Sequence, residues 1–220
     1  PKCVIGASLS KCTASSNEDA PKDLEKSFAI LYDFVDYFAL NVSCPNVKNL
    51  CQLQDIGFLS EIIDRLLTLR RYYDDYRPIL LKVSPDIPQE QLDEIIDLAV
   101  KRGVKVAMEN LFTLGCLAVM MERYKKVPEV GFCYDNGHEH CYTETVSWMD
   151  IFRDRVVATH IHDNPGRPED RTADYDWHLL PFEGTCDYQT MMQKLNCYCP
   201  DLPLMLEVSL GNPRHPKLTQ

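Results

Sequence analysis

Short apolar runs alternate with longer stretches of helical periodicity along most of the chain. The runs lie at residues 2–10, 36–43, 78–84, 105–110, 130–138, 156–164 and 204–208. They are not joined by two-residue hairpin turns, so we interpret them as buried parallel strands. The pattern predicts about seven strands.

The stretches between the runs predict helices. Within residues 21–38, Leu24, Phe28 and Leu31 recur at helical spacing on one apolar stripe. Further helices are predicted at 57–73, after Pro88, at 114–124, at 146–152 and after Asp187. Strands that alternate with helices in this way indicate an α/β protein with a parallel sheet, and the TIM (β/α) barrel fits this order.

The number of strands bears on how the barrel closes. With about seven strands, an eight-stranded closure is one unit short, so we expect an open or incomplete barrel. We expect residues 1–210 to form this single domain and residues 211–220 to form a loose tail. An unpaired strand edge exposes hydrogen-bonding groups, so a homodimer is a further expectation.

Acids and histidines stand at the ends of four consecutive runs. They are Glu109, Asp135, His160, His162 and Glu207. Successive strand residues point to opposite faces, and by this parity each of these side chains lies on the face opposite the bulky apolar residues of its run. Active sites of (β/α) barrels are built at the carboxyl ends of the strands, so the pattern predicts a site there.

Composition narrows the range of partners. The chain has 220 residues and a formal net charge of -10, which opposes binding to nucleic acid and to anionic membranes. It has no apolar stretch near the roughly 18 residues that a membrane helix needs, and the N-terminus lacks the pattern of a secretory signal. Ten cysteines are scattered along the chain, which favours reduced thiols in a cytoplasmic protein.

Residues 105–210 resemble the xylose-isomerase-like barrel superfamily of sugar isomerases and epimerases, which is related to endonuclease IV. The motifs that carry the resemblance are Met108-Glu-Asn110, Tyr134-Asp-Asn-Gly-His138, His160-Ile-His-Asp163, Asp176-Trp-His-Leu-Leu-Pro-Phe-Glu-Gly184 and Leu206-Glu-Val208. The resemblance implies one divalent cation, and the ligands it implies are Glu109, Asp135, His162 and Glu207. It also implies that His138 and His178 contact the substrate or support the metal.

Residues 3–99 resemble the flavin-dependent dihydroorotate dehydrogenases. The matching motifs are Leu40-Asn-Val-Ser-Cys-Pro-Asn46, Leu53-Gln-Asp55 and Leu81-Lys-Val-Ser-Pro-Asp86. The resemblance implies that Cys44 is the base, and that Asn41, Asn46 and Lys82 lie near orotate and the flavin. The late glycine-bearing loops that seat the flavin phosphate have no counterpart after Val104, so FMN is not expected.

The two resemblances meet near Gly103. We interpret the chain as a hybrid of two half-barrels, with residues 1–103 from the dehydrogenase type and residues 104–210 from the isomerase type. Such a join is physically plausible because each β/α unit packs mainly on its neighbours.

Two glutamates that face one cation suit the isomerisation or epimerisation of a sugar or sugar phosphate. The cation polarises a carbonyl or hydroxyl pair, and Glu109 and Glu207 exchange a carbon-bound proton through an enediolate. An oxygen-rich ligand set favours Mn²⁺, Mg²⁺ or Co²⁺, and Zn²⁺ is an option through His162.

Other polar residues have supporting or alternative roles. His160 lies one step deeper on the same face and is interpreted as packing or supporting the ligands. Asp176 either supports the site together with His178 or stabilises their long loop. Lys82 points into the barrel by parity, so we expect it either to pair with one of the carboxylates or to be a source of strain.

Two other functions remain open from the sequence. One is a flavin-dependent dihydroorotate dehydrogenase, supported by Cys44 and Lys82. The other is a catalytically inactive chimeric barrel scaffold. An abasic-site nuclease is disfavoured, because that chemistry needs further histidines on early strands and because the acidic balance opposes DNA binding.

Overall fold

The computed structural model describes residues 4–12, 14–42, 56–83, 87–112, 114–143, 145–167, 169–170 and 175–209. The chain divides into two compact units, Pro1–Val106 and Ala107–Gln220. Two of the predicted site residues, Cys44 and Asn46, lie outside the described residues, as does the predicted tail.

Six strands and seven α-helices are found among the described residues, and they alternate along much of the chain. The strands are β1 Gly6–Leu9, β2 Tyr37–Asn41, β3 Ile79–Lys82, β4 Lys105–Glu109, β5 Val130–Asp135 and β6 Val156–His160. The helices are α1 Ala20–Leu31, α2 Ile56–Arg70, α3 Gln89–Arg102, α4 Leu114–Arg123, α5 Asn136–Tyr142, α6 Trp148–Phe152 and α7 Tyr188–Tyr198.

In the first unit the strands pair in parallel and in chain order. β1 pairs with β2, β2 with β3, and β3 with the start of β4. The register places Asn41 opposite Lys82, so these two residues end neighbouring strands. The apolar stripe predicted for the first helix is buried through Leu24 and Phe28, and the Phe28 ring lies 4.3 Å from that of Phe38 on β2.

Helix boundaries in this unit follow local chemistry. Pro21 stands in the first turn of α1, where its missing N–H is tolerated. The helix ends at Leu31 and a 3₁₀ turn follows, so it is shorter than the predicted 21–38. α3 ends at Arg102, and Gly103 follows as its cap with a φ of 64°, a left-handed conformation that glycine adopts without strain.

In the second unit β5 pairs in parallel with β6, and Asp135 lies opposite His160. The apolar residues of these strands pack on α4, α6 and α7 in a core that includes Phe132, Trp148 and Leu195. The predicted seventh strand is present only as an isolated parallel bridge between Leu206 and Ile161.

Helix α5 begins where the sequence pattern continued the fifth run to His138. The carboxylate of Asp135 accepts a hydrogen bond of 2.7 Å from the backbone N–H of His138. This cap satisfies a donor in the first turn, so the chain turns into a helix at Asn136.

The fold is therefore α/β, with the parallel strands and intervening helices of a TIM barrel, and it has fewer strands among the described residues than a closed barrel needs. This confirms the predicted fold class. None of the helices in the described ranges is long and apolar enough to span a bilayer.

Candidate metal centre

The ligand-type side chains lie at the carboxyl ends of the strands in the second unit. Glu109 ends β4, Asp135 ends β5 and His160 ends β6. Glu207 follows the bridge residue Leu206, and its backbone N–H donates to the carbonyl of Ile161 at 3.0 Å. Parallel pairing brings these ends together at one edge.

Four of these residues form what we call the carboxylate cluster, namely Glu109, Asp135, His160 and Glu207. Their ligand atoms all lie within 4.8 Å of one another. His160 Nδ1 is at their centre, 2.8 Å from Glu109 Oε1, 2.9 Å from Glu207 Oε2 and 3.9 Å from Asp135 Oδ2. Three carboxylates thus surround one ring nitrogen.

A second group, the histidine cluster, consists of His138, His162, Asp176 and His178. Asp176 Oδ2 lies 3.2 Å from His138 Nε2 and 3.3 Å from His178 Nε2. The rings of His162 and His178 are stacked, with centroids 4.0 Å apart. His162 Nε2 also lies 3.1 Å from Asp135 Oδ1, so Asp135 contacts both clusters.

The charges in the histidine cluster shift its pKa values. Burial lowers the pKa of His138, but the carboxylates of Asp135 and Asp176 outweigh burial and raise it to about 9. Burial also lowers the pKa of His178, but the carboxylate of Asp176 outweighs burial and raises this pKa to about 9. Burial raises the pKa of Asp176, but hydrogen bonds from both histidines hold it well below its ordinary range.

His160 is more strongly perturbed. Burial lowers its pKa, whereas the neighbouring Cys133 and the carboxylates of Glu109 and Glu207 raise it, and the net pKa lies far above the ordinary value for histidine. The Nδ1 atom of His160 is placed to donate to both glutamates.

Buried asparagines fix the backbone beneath both clusters. The side-chain amide of Asn110 donates to the carbonyl of Asp135 and accepts from its N–H, both at 2.8 Å. Asn136 makes the same pair of bonds with His162, at 2.9 and 3.0 Å. Each amide extends the pairing of two strands beyond the last residue of the first.

These asparagines were not among the predicted site residues, although the sequence contains a pattern that could have found them. Asn110 follows Glu109, Asn136 follows Asp135, and Asn164 follows Asp163. An acid followed by asparagine recurs at the ends of β4 and β5 and just beyond the end of β6, where a side-chain amide can replace a backbone partner.

Gly137 is required for the position of His162. A Cβ atom on Gly137 would lie 2.0 Å from Cε1 of the His162 ring, a distance that no pair of non-bonded carbons tolerates. The missing side chain lets the ring pack directly on the first turn of α5.

The structure brings three of the four predicted ligands together and places the fourth in the other cluster. Of the four predicted ligands, Glu109, Asp135 and Glu207 come together, and His160 is the histidine among them. His162 lies in the histidine cluster and meets the predicted ligands through Asp135.

Three of the residues predicted to support the ligands also lie in the second unit. His138, Asp176 and His178 surround His162 in the histidine cluster. Lys82 and Asn41 belong to the first unit, where they end β3 and β2.

The donor atoms suit a metal ion. Carboxylate oxygens with imidazole nitrogen are the ligands of Mn²⁺, Mg²⁺, Co²⁺ or Zn²⁺. In addition, Nδ1 of His162 is buried and has no hydrogen-bond partner in the described structure, and a buried polar atom left unpaired costs about 1 to 3 kcal/mol. Two groups of the described residues can hold a metal.

The fold and these clusters define a (β/α)-barrel protein with histidines and acids clustered near the carboxyl ends of its strands. The family model of the xylose isomerase-like TIM barrel matches residues 83–218, and that of dihydroorotate dehydrogenase matches residues 4–131. Each covers more than half of the chain, so the chain belongs to both families, to the first through its C-terminal part and to the second through its N-terminal part. This confirms the two resemblances and the hybrid they imply.

Curated relatives match through the dehydrogenase part. The quinone-type dihydroorotate dehydrogenase of Christiangramia forsetii is 41% identical over 95 residues, which are 43% of this chain and 28% of the relative. That of Dichelobacter nodosus is 33% identical over 127 residues, 56% of this chain and 38% of the relative. The chain thus spans well under half the length of these relatives.

Solved structures of both kinds share the fold. A xylose isomerase domain protein from Planctomyces limnophilus has a TM-score of 0.61 at 14% identity, over 94% of this chain and 91% of that chain. A Thermus thermophilus protein soaked with ZnCl₂ has a TM-score of 0.56 at 17% identity, with the same coverages. Dihydroorotate dehydrogenase from Eimeria tenella has a TM-score of 0.58 at 18% identity, over 73% of this chain and 52% of that chain.

Proposed function

We propose that the chain is a divalent-metal-dependent isomerase or epimerase that acts on a sugar or sugar phosphate. The observation that carries the proposal is the approach of two glutamates to one point, since Glu109 and Glu207 both lie within 3 Å of His160 Nδ1. Membership of the xylose isomerase-like family supports it.

The cation would be held by Glu109, Asp135 and Glu207, with His162 as the nitrogen ligand. When bound, it polarises the neighbouring substrate oxygens and stabilises the negative charge that develops on them. His162 Nε2 reaches this group through its contact with Asp135 Oδ1, and His160, whose Nδ1 contacts both glutamates, is the alternative nitrogen ligand.

The proton transfers belong to the two glutamates. One carboxylate removes a proton from a substrate carbon, and the other returns a proton to the neighbouring carbon or to the opposite face of the same carbon. A positioned acid or base of this kind contributes about 10²- to 10⁴-fold in rate. His160 orients both carboxylates by donating to them from Nδ1.

Calorimetric titration with Mn²⁺ tests the site. We expect Glu109→Gln to weaken Mn²⁺ binding by more than about tenfold, because the amide cannot replace a charged ligand. Glu122→Gln is the matched control, since Glu122 is exposed on α4 and pairs with Lys125. Equal Mn²⁺ affinity in the wild type and in Glu109→Gln would remove Glu109 from the site.

Hydrogen exchange into the substrate tests the reaction. An isomerase or epimerase that moves a carbon-bound proton is expected to incorporate deuterium from D₂O into an aldose, a ketose or their phosphates, as followed by NMR. The exchange should be lost in both Glu109→Gln and Glu207→Gln. If a panel of sugars and sugar phosphates shows no exchange in the Mn²⁺-loaded protein, the proposed reaction is wrong.

A second candidate is flavin-dependent dihydroorotate oxidation. The observation that favours it is the pairing of β2 with β3, which places Asn41 and Lys82 side by side at the carboxyl ends of two strands. The visible absorbance of the purified protein separates the two candidates. A flavin spectrum with dihydroorotate-dependent bleaching would favour the dehydrogenase.

A further inference from the structure

The segment 178–186 begins at His178, the last residue of the histidine cluster, and contains two residues with unusual backbone geometry. His178 has φ of 48° and Phe182 has φ of 72°, both in the left-handed region. Bulky residues rarely adopt this region, at a cost of about 1 to 3 kcal/mol each, and they stay there only when the surrounding structure holds them.

Asp163 provides the contacts that hold this segment. Its carboxylate is fully buried, and Oδ1 accepts hydrogen bonds from the N–H groups of Asn164 at 2.9 Å and Cys186 at 3.1 Å. Oδ2 accepts from the N–H of Phe182 at 2.9 Å. The backbone of Asp163 also exchanges two hydrogen bonds with Leu179, at 3.0 and 2.8 Å.

Gly184 packs directly against the carboxylate of Asp163. A Cβ atom on Gly184 would lie 2.3 Å from Asp163 Oδ1 and 2.3 Å from the carbonyl oxygen of Asn164. The segment therefore wraps the carboxylate at a distance that only glycine allows. The two observations are independent, because one concerns hydrogen bonds and the other steric space.

The segment in turn fixes the ring of His178. His178 lies directly before Leu179, the residue that bridges to Asp163. Its Nδ1–H donates to the carbonyl of Glu207 at 2.7 Å, and its ring stacks on that of His162. A shift of the segment would therefore move a side chain that contacts both the histidine cluster and the backbone of Glu207.

We propose that Asp163 is a positioning residue, which holds residues 178–186 so that His178 stays stacked on His162 and paired with Asp176. Its effect on metal binding rests on the proposed function. Asp163 itself is not a ligand, since its oxygens are occupied by N–H groups of the segment.

A double-mutant cycle in the metal-free protein tests the positioning without any metal. If Asp163 acts on His178, the losses in melting temperature caused by Asp163→Asn and His178→Asn are less than additive in the double variant. Asp187→Asn is the control, because Asp187 caps α7 through Thr190 and should combine additively with His178→Asn. Additive losses for Asp163→Asn and His178→Asn overturn the proposal.

Zn²⁺ titration measures the metal affinity, which a purely structural role of Asp163 would leave unchanged. We expect Asp163→Asn to weaken Zn²⁺ binding about 10- to 100-fold, as is usual when a residue that orients a ligand is lost. Gly184→Ala keeps the Asp163 side chain but adds a methyl group that would overlap it and displace the segment, so it should weaken Zn²⁺ binding in the same direction. Asp187→Asn should leave the Zn²⁺ affinity unchanged. Wild-type Zn²⁺ affinity in both Asp163→Asn and Gly184→Ala overturns the proposal.

The two measurements separate this proposal from the proposed function. If the wild-type protein binds neither Mn²⁺ nor Zn²⁺, the metal-dependent function is wrong, and the double-mutant cycle alone decides whether Asp163 positions His178. If the wild type binds metal and the cycle shows coupling, the Zn²⁺ affinity of Asp163→Asn decides whether the positioning matters to the site.

Discussion

His160 and His162 stand two positions apart on the same side of the chain, yet their rings belong to different clusters. His160 Nδ1 contacts Glu109 Oε1 at 2.8 Å, and His162 Nε2 contacts Asp135 Oδ1 at 3.1 Å. The same strand end therefore supplies one histidine to each cluster, with Asp135 between them.

The two histidines should differ in their effect on metal binding. We expect His162→Gln to weaken Mn²⁺ binding by more than about tenfold, because it removes the proposed nitrogen ligand. His160→Gln should weaken it less, because His160 only orients the two glutamates in this proposal. Calorimetric titration of both variants at one pH measures the difference. The reverse order would assign the nitrogen ligand to His160.

Asn110 should be important for stability. Asn110→Ala removes two hydrogen bonds from the buried backbone of Asp135, and unpaired buried groups of this kind cost about 1 to 3 kcal/mol. Chemical denaturation measures the loss. Asn196→Ala, on the exposed side of α7, is the control and should change the free energy of unfolding very little. A loss no larger in Asn110→Ala than in this control would contradict the role of the amide.

Gly137→Ala should disturb His162. The new methyl group would overlap the His162 ring, and overpacking of this kind typically costs about 1 to 3 kcal/mol. We expect lower stability together with weaker Zn²⁺ binding. Gly115→Ala is the matched control, because nothing lies within 4 Å of a Cβ atom there and alanine favours the helix. Unchanged Zn²⁺ affinity in Gly137→Ala would show that the ring can move without loss.

The stability of the metal-free protein should depend on pH through the histidine cluster. The pKa values of His138 and His178 are raised from 6.5 to about 9, so both bind protons more tightly in the folded state. Their stabilising contribution is complete below pH 6.5 and is lost as the pH rises through about 9. Thermal unfolding across this window should show a falling melting temperature.

One variant and one metal control test whether the histidine cluster causes this pH dependence. His178→Asn should reduce the decline, because one of the two titrating groups is gone. Saturating Zn²⁺ should reduce it too, since the metal binds the deprotonated rings and replaces their protons. A melting temperature that stays level from pH 6.5 to about 9 in the metal-free wild type would contradict the raised pKa values.

The fold class could be predicted from the sequence because it depends on local patterns of apolar residues. Apolar runs and helical stripes are set by periods of about 2 and 3.6 residues, and those periods do not depend on distant contacts. The same parity predicts that Glu109, Asp135, His160 and Glu207 each lie on the face opposite the bulky apolar residues of their runs. The boundaries were less accurate. A carboxylate cap starts α5 at Asn136, and the last run forms only a bridge at Leu206.

The sequence predicted only part of the candidate site. Three of the predicted ligands converge, and the assignment of His162 or His160 as the fourth depends on ring positions that strand parity cannot distinguish, because residues two apart share a face. The asparagine amides beneath the clusters and the contact of Gly184 with Asp163 join segments about 20 or more positions apart. Such pairs form only once the chain has folded.

The sequence by itself thus determined the alternation of strands and helices, the double family membership and the edge at which ligand-type side chains gather. Only the tertiary structure decided that these side chains form two clusters, that Asp135 contacts both, and that Asp163 holds the segment behind His178. The reason is physical. Periodicity fixes the side of a strand on which a residue lies, whereas the neighbours that its polar atoms meet depend on the packing of every element around it.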